Sequence, residues 1–246
     1  MNKIINKIKD KNQNSEIVEM FSAISEKYDL LNNLMTFGMH KTWKEKSINL
    51  ALKYLNNCPN NCNNVLDFCC GTGDLTILLK KLKPQANIIC SDLSKNMLEL
   101  ANSKFTKNRF NGIKIICENA EEIDHGKGIF DLAMVGFGLR NVNNKEKCLD
   151  AIYDSLRAGG VFMCIDLGHP INPIWNKIYS LLFNSITPIL GMVFAKNKAA
   201  YTYLPESLNT WYKQDELRQL LLNKGFKECN VTNFLGGVVS THIAIK

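Results

Sequence analysis

Five short apolar runs, unbroken rather than alternating, constrain this chain most: "NVLDFC" at 64–69, "NIICSD" at 87–92, "IKIICE" at 113–118, "FDLAMVGF" at 130–137 and "GVFMCIDL" at 160–167. Strands that are apolar on both faces belong inside a sheet covered on both sides, which is the setting of parallel strands. Between these runs, 73–83, 95–105 and 144–156 carry apolar residues at helical spacing. Strand, helix and strand in repeated order make right-handed βαβ units, hence an α/β fold with a doubly wound sheet. With 246 residues the chain has room for one large domain and a full core. Cys90, Cys117 and Cys164 fall inside the predicted strands, where a thiol packs as a small hydrophobe.

The nine cysteines are an odd number scattered through apolar runs, and no signal peptide precedes them. That pattern argues against a disulfide framework and for a reducing cytosol. The stretch "NNCPNNCNN" at 56–64 reads as a loop; it holds Cys58 and Cys62, but no second Cys or His pair lies at workable spacing, so no metal is expected. The net charge of +7 is spread along the chain and dense only in "MNKIINKIKDK" at the start. It reads first as a solvated surface and a frayed terminus, and second as attraction to an anionic membrane or nucleic acid.

In a doubly wound sheet ligands bind outside the carboxyl ends of the strands, so the chemistry belongs in the turns after these runs. In the first turn, Gly71 and Gly73 let the backbone bend and approach a ligand, and the helix beginning near Asp74 points its amino end there. The third glycine of a dinucleotide fingerprint would fall at Thr76, which weakens the case for a pyrophosphate. Asp92 ends the second run, about 20 residues beyond the glycines, where a carboxylate accepts hydrogen bonds from both hydroxyls of an unphosphorylated ribose. Asn119 and Ala120 follow the third run, in position to meet a purine through a polar group and a backbone amide. A nucleoside without pyrophosphate, with an amino acid near the first turn, is S-adenosylmethionine.

The stretch "LDFCCGTGD" resembles the glycine-rich motif of class I S-adenosylmethionine-dependent methyltransferases, and one family within it is more closely similar. That family is the UbiE/MenG type of quinone-biosynthesis C-methyltransferase. It is carried by "YDLLNNLMTFGMHKTWK" at 28–44, "FGLRNV" at 137–142, "YLPESL" at 203–208 and "GGVVSTHIAIK" at 236–246, in that order. The resemblance implies a Rossmann-like, mostly parallel seven-stranded sheet whose last strands, near 226–234 and 237–245, form an antiparallel hairpin. It implies a single methyltransferase domain over 1–246: an amino-terminal helical lid at 1–60, a cofactor-binding core at 61–167, a helical substrate cap at 168–212, and a carboxyl-terminal helix and strands at 213–246. It also implies methylation of a ring carbon in a prenylated quinol, demethylmenaquinol to menaquinol or the C-methylation step of ubiquinone synthesis, with S-adenosylhomocysteine as product. Cofactor positions carried over are Thr72, Asp92, Asn119 and Ala120, with Asp67, Gly71, Gly73 and Gly136 completing the expected pocket. Cys69 stands where many methyltransferases have glycine, implying a backbone that needs no positive φ, and Gly136 stands where this family often has serine. "DLGHP" at 166–170 departs from the commoner acidic, aromatic and serine pattern, leaving His169 as a turn residue.

Methyl transfer to a ring carbon requires exclusion of water, alignment with the sulfur and removal of the quinol proton. Arg140 and Asn141 follow the fourth run, where a cation and an amide would stabilise a developing phenolate; a salt bridge from Arg140 to Asp166 or Glu206 is the structural alternative. Arginine is a poor proton acceptor, and the remaining candidates are Tyr28, His242 and Asp166. The uncharged stretch 178–195, broken by Pro188 and Gly191, reads as an amphipathic or broken helix over the site rather than a membrane span. The region 15–55 closes the other side, with Met35, Phe37, Met39 and Trp43 offering apolar surface, and "YTYLPESLNTW" at 201–211 adds aromatics to frame a planar ring. The expectation is a cytoplasmic enzyme peripherally associated with membrane, with a homodimer left open and no nucleic acid partner. An RNA methyltransferase lacks support because no basic face with interleaved aromatics is visible. The other rival, a non-catalytic cofactor-binding subunit, is disfavoured by intact Asp92, Arg140 and Asn141.

Overall fold

The computed structural model describes residues 27–56, 63–177, 179–181 and 210–246, together with 18, 19, 22, 25, 207 and 208. The first eleven residues, Cys58, Cys62, Glu206, Tyr201, Tyr203 and nearly all of 178–195 lie outside them. Seven strands form one sheet in the order β3-β2-β1-β4-β5-β7-β6. They are β1 Asn64–Phe68, β2 Asn87–Asp92, β3 Ile113–Cys117, β4 Phe130–Gly136, β5 Leu156–Leu167, β6 Glu228–Phe234 and β7 Val239–Ile245. The first five pair in parallel, and β7 runs antiparallel to both β5 and β6. Besides helical residues at 27–36 and 173–177, the described helices include α1 Met39–Asn56, α2 Asp74–Leu82, α3 Lys95–Lys107, α4 Lys145–Ser155 and α5 Gln214–Asn223.

The unbroken apolar runs are explained by helices on both faces. Leu66, Phe68, Ala133, Val135 and Phe162 pack with Leu149 and Ile152 of α4 and with Leu217 and Leu221 of α5. Their neighbours in the strands, Val65, Leu132, Met134 and Met163, turn to the opposite face and meet Ile48 and Leu55 of α1, Leu79 of α2 and Phe105 of α3. β5 begins at Leu156, ahead of the expected 160, because its ladder with β4 starts at Leu156↔Phe130 and resumes at Val161↔Leu132 across an irregularity at Arg157–Gly160.

Three expectations fail on burial. β3 is the sheet edge, and Cys117 is exposed there rather than packed, its thiol 3.6 Å from the Leu93 carbonyl oxygen. Trp43 offers no lid surface: it is buried against Ile165 and Val239 and stacks on Phe234 with ring centroids 6.4 Å apart. Trp211 frames no ligand either, since it is buried in the core and its Nε1–H donates to the Leu167 carbonyl at 2.7 Å. Among the described residues no helix is long and apolar enough to cross a membrane.

Candidate active site

A cleft of about 950 Å³, its open mouth included, lies at the carboxyl ends of β1 to β4, where the strand order reverses about β1. Cys69–Thr72, Ser91–Ser94, Glu118–Glu121 and Gly136–Gly138 line it, one segment after each strand, and Tyr28 and Lys44 close it from the amino-terminal side.

The turn after β1 is held in a demanding conformation. Cys69 has φ 50°, in the left-handed region, against the expectation that this position needs no positive φ; glycine is common at such places because it adopts this conformation without strain. Gly73, at φ 79°, caps α2, and a Cβ there would lie 2.5 Å from the Phe105 ring. The bend brings the Gly71 N–H to Asp92 Oδ2 at 2.8 Å, while Asp92 Oδ1 accepts from the Ser94 N–H at 2.9 Å. Burial raises the Asp92 pKa and these backbone bonds oppose the rise. The Leu93 N–H bonds to it as well. A carboxylate has about four acceptor positions, so three backbone bonds leave one for a ligand in the cleft that Asp92 lines. Asp67 lies wholly beneath the loop, accepting from the N–H and hydroxyl of Thr76 at 3.1 and 2.7 Å. Burial pushes its carboxyl up to about 7.

Asn119 and Ala120 reach the cleft beside Leu93 and Met97. The Asn119 side-chain oxygen is already committed to the Glu121 N–H at 3.0 Å, which orients the side chain and leaves its amide N–H groups to meet a ligand. Burial pushes the Cys69 thiol well above its ordinary value; a hydrogen bond to Cys90, with burial, does the same to Cys70. Both are packing thiols rather than nucleophiles.

At the other end, the amino-terminal helix at 27–36 is pinned to the glycine loop. Asp29 accepts from the Thr72 hydroxyl at 2.7 Å and pairs with Lys104 at 2.5 Å. Lys44 pairs with Asp74 at 2.8 Å and lies 5.8 Å from the centre of the Phe137 ring. Burial works against ionisation of Asp74, but Lys44 and then Lys104 hold its pKa down to about 2. Behind Phe137, the Arg140 guanidinium pairs with Asp166 Oδ1 at 2.6 Å and donates to the Phe137 carbonyl at 2.6 Å.

The profile of the ubiE/COQ5 methyltransferase family matches residues 7–246. The chain belongs to this family. A ubiquinone/menaquinone biosynthesis C-methyltransferase of Rickettsia prowazekii is 36% identical over 235 residues, covering 94% of this chain and 92% of that protein. A demethylmenaquinone methyltransferase of Staphylococcus saprophyticus is 34% identical over 238 residues, covering 96% and 99%. The fold is shared with the plantazolicin methyltransferase solved with S-adenosylhomocysteine, at TM-score 0.64 and 14% identity over 96% of this chain and 98% of that one. It is shared too with a SAM-dependent methyltransferase of Thermotoga maritima, at TM-score 0.60 and 16% identity over 93% and 99%.

In this methyltransferase the residues singled out from sequence divide by position. Gly71, Thr72, Asp92, Asn119, Ala120, Gly136, Tyr28 and Asn141 line the cleft; Asp67, Gly73 and Arg140 do not, and act on its shape from behind. Gly136 has a packing reason beyond any missing hydroxyl, because a Cβ there would lie 2.9 Å from Leu75 Cδ1. The proposed bases His242 and Asp166 are buried away from the cleft. His242 Nε2 lies 2.9 Å from the Gln214 carbonyl oxygen and burial lowers its pKa, while Asp166 is spent on Arg140. His169 is a turn residue, its Nε2 3.2 Å from the Trp211 carbonyl oxygen. Sequence reasoning missed Leu93, Ser94 and Met97, although they directly follow Asp92 and the strand-end rule points to them. It also missed Lys44, although this residue ends the stretch 28–44 that carries the family resemblance.

Proposed function

We propose that this methyltransferase carries the S-adenosylmethionine methyl group to a ring carbon of a prenylated quinol, in menaquinone synthesis. The single observation that carries the cofactor half is Asp92, a cleft-lining carboxylate that bridges the Gly71 and Ser94 amides and keeps an acceptor position for a ligand. The quinol half is supported by similarity over nearly the whole chain to relatives named for that reaction. The rickettsial relatives are named for both quinones, which favours the ubiquinone branch as the second reading.

S-adenosylmethionine, when bound, supplies a methyl group activated by the sulfonium. The chain does the rest. Asp92 holds the ribose, Asn119 and Ala120 meet the purine, and the loop 69–73 with the amino end of α2 receives the amino acid. Tyr28 and Asn141 line the cleft and hold the ring hydroxyl as its proton passes to water at the open mouth; water also takes the ring C–H proton that leaves once that carbon carries the methyl group, and the hydroxyl is then reprotonated. Arg140 is a positioning residue: its buried pair with Asp166 sets the turn Leu139–Asn141 and with it the place of Asn141 at the cleft. We read the chain as one domain, with 1–60 as lid, 61–167 as cofactor core, 168–212 as substrate cap and 213–246 completing the sheet. Peripheral membrane association is supported by exposed Leu30, Leu34, Phe37, Ile171, Ile174 and Leu181, Phe37 being 89% exposed.

The test is transfer of labelled methyl from S-adenosylmethionine to demethylmenaquinol and, in parallel, to the demethylated benzoquinol, with products identified by mass spectrometry. Label in the naphthoquinol supports the reading as stated, label only in the benzoquinol moves it to the second branch, and label in neither with cofactor bound removes the quinol assignment.

A further inference from the structure

We propose that Lys44, held by Asp74, is the residue that recognises the carboxylate of the cofactor's methionine moiety. The proposal rests on the reading of the cleft as an S-adenosylmethionine site and names a contact that the glycine motif does not supply.

Among the described residues that line the cleft, Lys44 is the only lysine or arginine. Its side chain is 8% exposed, an uncommon state for an ammonium, and it is tethered by one carboxylate oxygen of Asp74 at 2.8 Å. An ammonium has three N–H donors, so this tether leaves donors for an incoming carboxylate. The position suits the amino-acid end. Lys44 touches Asp74 and the Phe137 ring, and Phe137 follows β4, across β1 from Asn119, which follows β3; Asp74 opens α2, whose amino terminus also favours an anion. Asp74 is shared with Lys104 at 3.4 Å, so its charge is divided between two ammonium groups and does not fully offset Lys44. Asp29, which joins Lys104 to Thr72, ties the same corner to the helix at 27–36. Asp74 is then a positioning residue, and Lys44 the residue that touches the ligand.

Decarboxylated S-adenosylmethionine provides the test, because it lacks only the group that Lys44 would hold. By calorimetry the wild-type protein is expected to bind S-adenosylmethionine more tightly than the decarboxylated form by about tenfold to a hundredfold, the range of a charge-assisted hydrogen bond. In Lys44→Met that ratio shrinks by at least about tenfold, and Lys44→Arg retains most of it; the coupling between side chain and ligand group separates recognition from fold maintenance. Lys44→Met that weakens both ligands by the same factor overturns the proposal and leaves Lys44 a structural cation. If Lys44→Met does not fold, the wild-type ratio and Lys44→Arg decide, and a wild-type ratio near one overturns the proposal. Wild-type protein that binds neither ligand nor S-adenosylhomocysteine refutes the cofactor reading itself, a different failure.

Discussion

Two cation–carboxylate pairs flank Phe137, and they are built to opposite ends. Arg140–Asp166 is closed, with side chains 5% and 2% exposed and a second guanidinium bond to the Phe137 carbonyl. Lys44–Asp74 is open on one side, with its carboxylate 28% exposed and its ammonium against the Phe137 ring and the cleft. Phe137 itself has φ 59°, a left-handed conformation that a bulky residue adopts only where its surroundings hold it. The Arg140 bond to its carbonyl is one such restraint. A cation enclosed by its partners shapes a site, whereas one with donors left at a cavity wall recognises something.

The closed pair carries the largest expected effect. Arg140→Met leaves Asp166 charged and buried without its partner, and should cost about 3 to 5 kcal/mol in denaturant unfolding. Adding Asp166→Asn should recover part of that, and failure to recover any would mean the pair is not the source of the loss. At the open pair, stability reports through His40, which burial, and next the Lys44 charge, hold down to about 4. The folded value lies below the ordinary 6.5, so as pH falls the unfolded chain takes up a proton that the folded chain refuses. Stability is therefore complete above pH 6.5 and declines by up to about 3 kcal/mol as pH approaches 4. In Lys44→Met the His40 titration, followed by proton NMR, should move upward and narrow that window; an unmoved titration would show that the two charges do not interact.

Asp92→Ala touches neither pair and sharpens the contrast. It should weaken S-adenosylhomocysteine binding by about tenfold to a hundredfold, and affect S-adenosylmethionine and its decarboxylated form alike. Unchanged affinity in calorimetry would remove Asp92 from the ribose. The smallest effect is expected at Gly136→Ser, where Leu75 must give way to the new Cβ: about 1 kcal/mol of stability, read by thermal unfolding, with cofactor affinity retained. A larger loss would mean that the core beneath the cleft does not yield.

Much of the fold was legible because a strand covered on both faces is apolar at most positions, and β1, β2, β4 and β5 are so apart from a few polar residues such as Asp67, Asp131 and Asp166. β3 read the same way but lies at the sheet edge, and an apolar run does not reveal which strand is outermost; Cys117 is exposed for that reason. At the site, Asp92 was legible because its role follows from lying at a strand end one turn beyond the glycines. Trp43 and Trp211 were not, since an aromatic residue at a helix or loop reads alike whether it faces a ligand or a core.

The order of the first five strands along the chain, the glycine turn and the acidic strand end follow from the sequence by itself, because each is set by contacts or backbone needs within a few residues. The tertiary structure alone decided which charges meet. Lys44 reaches Asp74 across 30 residues and Arg140 reaches Asp166 across 26, through the packing of α1 beside α2 and the pairing of β4 with β5. The strength and exposure of such pairs depend on the desolvation that surrounding chain imposes, and desolvation is a property of the assembled fold rather than of any local pattern.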